Sequence, residues 1–354
     1  MFPLRIRCFL KFIYHNYIHI HALLRAFGIH RPEQSLFGAG RPAPQRSPLS
    51  AGQKDMVYMM YTEPHKIKDW LLAAGIEPKK KYGQNFLLQP EIPLRIAEAC
   101  GAKSDDAILE IGPGAGTMTQ FLAQLYRKVV AVEIDGSLLP VLSRVLEPYS
   151  NVTVLHGDIL KTDLRALFSE YFSGMHVSVC ANLPYYITTP ILMLLLESGL
   201  PLDHITVMVQ KEVADRLCAP PASSDYGAVT AVVRYYASAE KLFRVSAGHF
   251  TPPPKVDSAV IRLSLHSKPP VSVKSKELLF RVIRAAFAQR RKTLLNALSS
   301  AFPCSGKAEL ERVLNTCCLA PNIRGERLSL EDFAVLSDTL FQLFRSTDMP
   351  TNPS

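Results

Sequence analysis

Asn182-Leu183-Pro184-Tyr185 is the segment of this 354-residue chain richest in chemistry. An exocyclic amine on a planar base is a poor nucleophile, because its lone pair is delocalised into the ring. The Asn182 side-chain oxygen and the Leu183 carbonyl can accept its two hydrogens and localise the lone pair towards an electrophile. Pro184 has no N–H and a fixed φ, so the turn is stiff and can hold the Leu183 carbonyl inward. Tyr185 offers a ring on which the base can stack.

Such a tetrapeptide needs elements that place it beside a reactive group. Ala107-Ile-Leu-Glu-Ile-Gly112 is an apolar run ending in glycine, as a buried parallel strand would. Gly112-Pro113-Gly114-Ala115-Gly116 follows and opens a helical pattern through Met118, Phe121, Leu122 and Leu125. Glycines there let the backbone approach a ligand and present N–H groups at a helix start. The spacing is not that of the dinucleotide fingerprint, so no pyrophosphate is implied. A second strand, Val129–Val132, ends in Glu133, 21 residues after Gly112, where a carboxylate can bind both hydroxyls of a ribose. A third, Val152–Leu155, leads to Asp158 after 25 residues, and a fourth, His176–Ala181, delivers Asn182 after another 24. This regular period places Gly112, Glu133, Asp158 and Asn182 along the carboxyl edge of one doubly wound sheet, where such folds bind ligands.

Two further segments could cover the site. Lys79-Lys80-Lys81-Tyr82-Gly83-Gln84-Asn85-Phe86-Leu87 joins a charge run to amide and apolar side chains suited to lie over a ligand. Phe250-Thr-Pro-Pro-Pro-Lys-Val-Asp-Ser258 is a stiff loop presenting one aromatic, which could close a base sandwich across a cleft from Tyr185.

Together these segments resemble the small-subunit ribosomal RNA adenine dimethyltransferases, S-adenosylmethionine enzymes of the KsgA type. The matching stretches are 79–87, Glu110–Thr119, Val132–Asp135, Gly157-Asp158, Asn182–Tyr186 and Phe250–Ser258, in family order from about residue 62 to 345. The resemblance implies a Rossmann-like α/β methyltransferase domain followed by a small all-helical domain. It implies that Asn85, Leu87, Gly112, Gly114, Glu133, Asp158 and Asn182 bind S-adenosylmethionine, Glu133 taking the ribose hydroxyls and Asp158 the cofactor's adenine amine. Asn182, Leu183 and Pro184 would then orient the target amine, with Tyr185 and Phe250 sandwiching a flipped adenine. The implied reaction adds two methyl groups to each of two adjacent adenines near the 3′ end of small-subunit rRNA. Neither metal nor protein nucleophile is expected, and the partner is the small ribosomal subunit.

The bulk properties agree with such a partner. Forty Lys and Arg against 31 Asp and Glu give a net charge of +9, which favours a polyanion. Between Arg262 and Lys292 nine Lys/Arg face one acid, Glu277. Periodicity predicts one helix over 276–298, capped by Ser275, with Leu279, Val282, Ile283, Ala286, Phe287 and Leu294 on its apolar side. Arg281, Arg284, Arg291 and Lys292 cluster opposite and are expected, with Lys79, Lys80 and Lys81, to contact phosphate. Arg290 falls on the apolar side, where the pattern gives it no role.

The expected organisation is a basic extension over 1–55, a methyltransferase domain over 56–266, a helical rRNA-docking domain over 267–345 and a tail over 346–354. Residues 267–274, with Pro269-Pro270, form the linker; helices are expected around 309–314 and 330–344, the last capped from Ser329. Residues 1–50 hold seven Lys/Arg and one acid, Glu33, with no apolar span able to cross a bilayer. Native initiation at Met56, Met59 or Met60, or a disordered basic tail, is the preferred reading; a mitochondrial transit peptide is the alternative. Seven cysteines without paired metal spacing suit a reducing compartment, and a cytoplasmic monomer is expected. Two other readings stay open. One is the related class that methylates a single large-subunit adenine, and the other is an assembly factor binding nucleic acid without catalysis.

Overall fold

The computed structural model describes residues 52, 61, 63–79 and 82–347. All but Gly52 of the expected extension over 1–55 lies outside the described residues, as do Lys80 and Lys81.

From residue 63 onward the first elements are helix α1 (Pro64–Ala73), a short strand β1 (Phe86–Leu87) and helix α2 (Glu91–Glu98). The alternation expected from the apolar runs follows: β2 (Ala107–Ile111), α3 (Thr117–Leu125), β3 (Lys128–Glu133), α4 (Leu139–Leu146), β4 (Val152–His156), α5 (Leu164–Tyr171), β5 (Val177–Asn182), α6 (Thr188–Glu197) and β6 (Leu202–Gln210). Every residue of β2 is buried, which explains why it reads as a continuous apolar run rather than an alternating one. Then come α7 (Lys211–Leu217), α8 (Ala228–Tyr236), β7 (Ala237–Val245), β8 (Phe250–Thr251) and β9 (Ser258–Leu265).

Seven strands form one sheet in the order β4-β3-β2-β5-β6-β9-β7. The first five are parallel, whereas β9 pairs antiparallel with both β6 and β7. The order reverses between β2 and β5, so a crevice opens beyond their carboxyl ends. Register brings the functional ends level: Glu133 pairs with His156, and Ile111 with both Val132 and Ala181. Beyond the sheet, β1 and β8 form a separate antiparallel ladder, with Leu87 opposite Phe250 and Phe86 opposite Thr251. The two segments expected to cover the site are therefore bonded to each other through their backbones.

Residues 267–274 carry no regular element, as expected of a connector. The single helix expected over 276–298 is instead two, α9 (Lys276–Ala288) and α10 (Leu294–Ala301). The break has a local cause: the Thr293 side chain accepts from the Asn296 N–H and caps a new helix, while the Leu294 N–H is taken by the Ile323 carbonyl at 2.7 Å. Arg290 lies in this break. It donates to the Ser224 and Tyr226 carbonyls at 2.6 and 3.3 Å and sits 3.7 Å from Glu326, which accounts for its place on the apolar side of the pattern. Helices α11 (Lys307–Thr316) and α12 (Leu330–Thr347) complete the chain. Ser329 and Asp332 cap α12 reciprocally, each side chain accepting from the other's N–H. Helix α12 runs into the expected tail. These helices pack around Leu279, Val282, Leu298, Leu314 and Phe333, in a cluster that also takes in Tyr226 and Tyr235 from the α8 region.

Candidate active site

A cleft of about 830 Å³, counting the open solvent at its mouth, lies at the strand-order reversal. It gathers Asn85 and Leu87 from the covering segment, Gly112 and Gly114 from the β2–α3 turn, and Glu133 from the end of β3. Asn182, Leu183, Pro184 and Tyr185 line the same cleft from the end of β5, with Phe250 from β8. Residues separated by up to 165 positions in sequence, Asn85 and Phe250, thus share one wall because β1 pairs with β8.

The turn after β5 is as stiff as its proline suggests. Pro184 sits at φ −57°, and its carbonyl accepts from the Ile187 N–H and the Thr188 hydroxyl, each at 3.2 Å. Leu183 is buried, and its N–H reaches the Met208 carbonyl of the neighbouring strand. The Tyr185 hydroxyl meets the Ser258 Oγ at 3.0 Å, tying that ring to the first residue of β9. The Asn182 amide nitrogen donates to the Asn85 carbonyl at 3.4 Å, which orients its side-chain oxygen and ties the covering segment to the turn.

In the same cleft Gly112 and Gly114 have φ of +70° and +60°, which side-chain-bearing residues rarely adopt. A Cβ on Gly112 would meet nothing within 4 Å, so the backbone there faces open space of the cleft. Glu133 is almost fully buried; its carboxylate accepts from the Gly114 N–H at 3.0 Å and the Asp135 N–H at 2.8 Å. Burial pushes its pKa up, and those two donors oppose the shift.

Glu110 was not singled out from sequence, although an acid inside an apolar strand was the available signal. It lines the cleft with zero exposure, and neither carboxylate oxygen has a hydrogen-bond partner. Burial pushes its pKa up to about 8, the nearby Thr119 hydroxyl lowers it without reaching hydrogen-bond geometry, and Glu133 raises it. A buried, unsatisfied carboxyl on a cleft wall suits a ligand bearing positive charge. The donor set therefore fits a nucleoside with a cationic portion: glycine backbone, a hydroxyl-binding acid and an orphaned acid. Among the described residues no cluster of three or more His, Cys, Asp or Glu could hold a metal ion.

Three of the expected contacts have other partners or another arrangement in the free protein. Asp158 stands at the carboxyl end of the sheet but is not among the residues lining the cleft. Its carboxylate accepts from the Leu160 N–H at 3.0 Å and sits 3.8 Å from Lys161, turned into its own loop. Lys79 is not a free phosphate contact: its ammonium bonds Asp135 at 2.8 Å and Ser137 at 2.7 Å. Gln84 also donates to Asp135 at 2.9 Å and accepts from the Lys79 N–H at 2.8 Å, so Asp135 anchors the covering segment at two points. Arg281, Arg284, Arg291 and Lys292 are all exposed, but they do not form one helical stripe. Arg281 and Arg284 lie on α9, whereas Arg291 and Lys292 occupy the break before α10. Arg281 is also partly engaged, donating to the Ala301 carbonyl and lying over the Phe302 ring at 4.5 Å.

The strand order, the switch-point cleft and the Asn182–Tyr185 turn define an α/β Rossmann-like enzyme built for transfer to a planar amine. Residues 76–338 match the ribosomal RNA adenine dimethylase family. The ribosomal RNA small subunit methyltransferase A of Geobacillus thermodenitrificans is 48% identical over 285 residues, 80% of this chain and 97% of that protein. Its counterpart in Bacillus licheniformis is 48% identical over 280 residues, 78% of this chain and 96% of the relative. Among solved structures, a dimethyladenosine transferase from Plasmodium falciparum superposes with TM-score 0.62 at 26% identity, covering 73% of this chain and 97% of its own. The 23S rRNA methyltransferase ErmE superposes with TM-score 0.57 at 25% identity, covering 73% of this chain and all of that one. The chain belongs to the ribosomal RNA adenine dimethylase family, whose members use S-adenosylmethionine, and it is a methyltransferase.

Proposed function

We propose that the protein transfers two methyl groups to the N6 amine of each of two adjacent adenines near the 3′ end of small-subunit rRNA, during assembly of that subunit. The observation that carries this reading is the shared cleft, lined together by Asn182, Leu183, Tyr185, Gly112, Glu133 and Phe250. The relatives of highest identity named above are small-subunit enzymes, which favours that substrate over the large subunit.

When bound, S-adenosylmethionine supplies a sulfonium-activated methyl group. Glu133, whose carboxylate accepts from the Gly114 N–H, would hold the ribose hydroxyls, and the turn from Gly112 to Gly114 would bear on the nucleoside. Asn85 and Leu87 cover it. Glu110 faces the positively charged portion, whose charge offsets the cost of burying the ionised carboxylate. Asp158, whose Oδ1 already accepts from the Leu160 N–H, would contact the cofactor's adenine amine through its remaining lone pairs. On the substrate side, Asn182 Oδ1 and the Leu183 carbonyl accept the two N6 hydrogens, and Tyr185 and Phe250 hold the flipped base by its faces. The arrangement positions the amine for in-line transfer, which is where most of the acceleration arises. The cationic product amine loses a proton to solvent, so the chain supplies no base.

Residues 267–345 are read as the rRNA-docking portion, with Arg284, Arg291 and Lys292 on phosphates, and the protein as a cytoplasmic monomer. No helix among the described residues is long and apolar enough to cross a membrane. The test supplies labelled S-adenosylmethionine with unmethylated small or large subunits and identifies the modified nucleoside by mass spectrometry. Dimethyladenosine at adjacent small-subunit positions is expected. Label on large-subunit rRNA would move the protein to the single-adenine class, and binding without transfer would leave an assembly factor.

A further inference from the structure

Ser258 opens β9 and carries a hydroxyl, yet it is wholly buried. Strands hold it from both sides: it pairs with Gln210 at the end of β6 and with Val245 at the end of β7. The residue before it is fixed as well. The Asp257 carbonyl accepts from the Lys211 N–H at 2.9 Å, and its carboxylate accepts from the Ala247 N–H at 3.0 Å and from Arg244 Nε at 2.9 Å. Ser258 Oγ is therefore a post whose place is set by the sheet. It stands 3.0 Å from the hydroxyl of Tyr185, whose ring lines the cleft. At its other end that ring hangs from the turn pinned by the Ile187 N–H and Thr188 hydroxyl bonds to the Pro184 carbonyl. The last torsion of a tyrosine is broad when nothing restrains it, and a bond at the hydroxyl anchors the ring at both ends.

Resting on the proposed function, we propose that Ser258 is a positioning residue for the second methyl transfer to each adenine, acting through the Tyr185 hydroxyl to fix the plane on which the base stacks. At each transfer the N6 lone pair forms a bond to the methyl carbon as the carbon–sulfur bond breaks. The electron pair of that bond stays on sulfur, and one N6 proton passes to solvent. An unreacted amine brings two hydrogens to the Asn182 side-chain oxygen and the Leu183 carbonyl. A monomethylated amine brings one, so one of the two acceptors no longer holds it. The π-face of the base is the same at both stages, and stacking takes over the share of orientation that the lost hydrogen bond supplied. A ring free to turn would carry the stacked base with it, and a displacement of about 1 Å at the reacting atom can cost about a hundred-fold in rate. The Ser258 bond removes that freedom, and its effect is greatest when hydrogen bonding to N6 is weakest.

The test follows Ser258→Ala, Tyr185→Phe and the double variant on unmethylated small subunits, resolving monomethyladenosine from dimethyladenosine over time by mass spectrometry. Each single variant should slow both transfers, and the second by about five-fold more than the first, in line with the loss of one hydrogen bond. Monomethyladenosine should therefore accumulate relative to the wild-type chain. The loss should fall on kcat rather than on the KM for subunits. The double variant should match the single ones to within about two-fold, because all three lack the same bond. Affinity for S-adenosylmethionine, measured by calorimetry, should equal that of the wild-type chain. Losses that multiply in the double variant, or equal slowing of the two transfers, would overturn the proposal. If Ser258→Ala does not fold, Tyr185→Phe carries the test alone: a wild-type ratio of the two transfer rates there would overturn the proposal, and so would a loss of cofactor affinity. Absence of any transfer to small subunits by the wild-type chain would instead refute the substrate assignment on which the proposal rests.

Discussion

Replacing Asp135 with Asn probes the anchor that holds the covering segment to the cofactor wall. The carboxylate is 4% exposed and receives Lys79, Gln84 and the Ser137 N–H and hydroxyl. Burial alone would raise its pKa, but Lys79, then Ser137 and Gln84, bring it down to about 2 from an ordinary 3.8. That difference corresponds to about 2 kcal/mol of folding stability at neutral pH. Because the folded-state value is the depressed one, the contribution is complete above about pH 4. It falls to about half near pH 3 and disappears as pH drops through 2. Asn keeps the shape and two hydrogen-bonding groups but loses the charge, so Asp135→Asn should lower stability at pH 7 by about 2 kcal/mol, or about 4–8 °C in Tm. Urea denaturation of both proteins from pH 7 down to pH 3 reads the gap directly, which should narrow by about half. A gap below about 0.5 kcal/mol at pH 7, or one that stays constant down to pH 3, would refute the assignment of Asp135 as a charged anchor.

Asn182→Ala removes one of the two acceptors for the target amine. Methyl transfer should fall by about a hundred-fold or more while subunit binding stays within a few-fold, measured by single-turnover kinetics and filter binding. Equal loss in both would overturn the division between orienting and docking residues. Arg284→Gln and the pair Arg291→Gln with Lys292→Gln should each weaken subunit binding and flatten its salt dependence, by about one unit of log–log slope for each phosphate no longer neutralised. An unchanged slope would remove these residues from the interface. Glu110 has a folded-state value near 8, above its ordinary 4.5, so the folded chain retains a proton that the unfolded chain releases. Stability from this group is present below pH 4.5 and declines as pH rises towards 8; Glu110→Gln should flatten that decline, as followed by Tm across the range. An unaltered profile would show that Glu110 is ionised in the free protein.

The cleft was legible because its parts end strands. Gly112, Glu133 and Asn182 recur at nearly one βα period, and a doubly wound sheet turns that period into proximity without further information. Phe250 lines the same cleft as Tyr185, and the device that brings it there, the β1–β8 ladder, has two residues per strand and no periodicity to reveal it. Charge was the poorest guide. Lys79 reads in its basic run as a phosphate contact and Arg290 has no role in the pattern, yet each is engaged by a partner far away in sequence: Asp135 across 56 positions, and Ser224 across 66. A run of Lys and Arg advertises net charge, whereas the fate of each cation depends on whether the fold brings an acid or a carbonyl within reach. Asp158 illustrates the converse, since its position at a strand end was right and its side-chain direction was set by a local turn, Leu160 N–H to carboxylate. Strand-end placement follows from topology, and side-chain direction from the last few ångströms of hydrogen bonding. Since the Asp158 carboxylate has lone pairs for both the Leu160 N–H and a ligand amine, cofactor binding should leave hydrogen exchange at the Leu160 amide no faster while slowing it at Gly112 and Gly114; faster exchange at Leu160 would show that Asp158 must leave its loop to reach the cofactor.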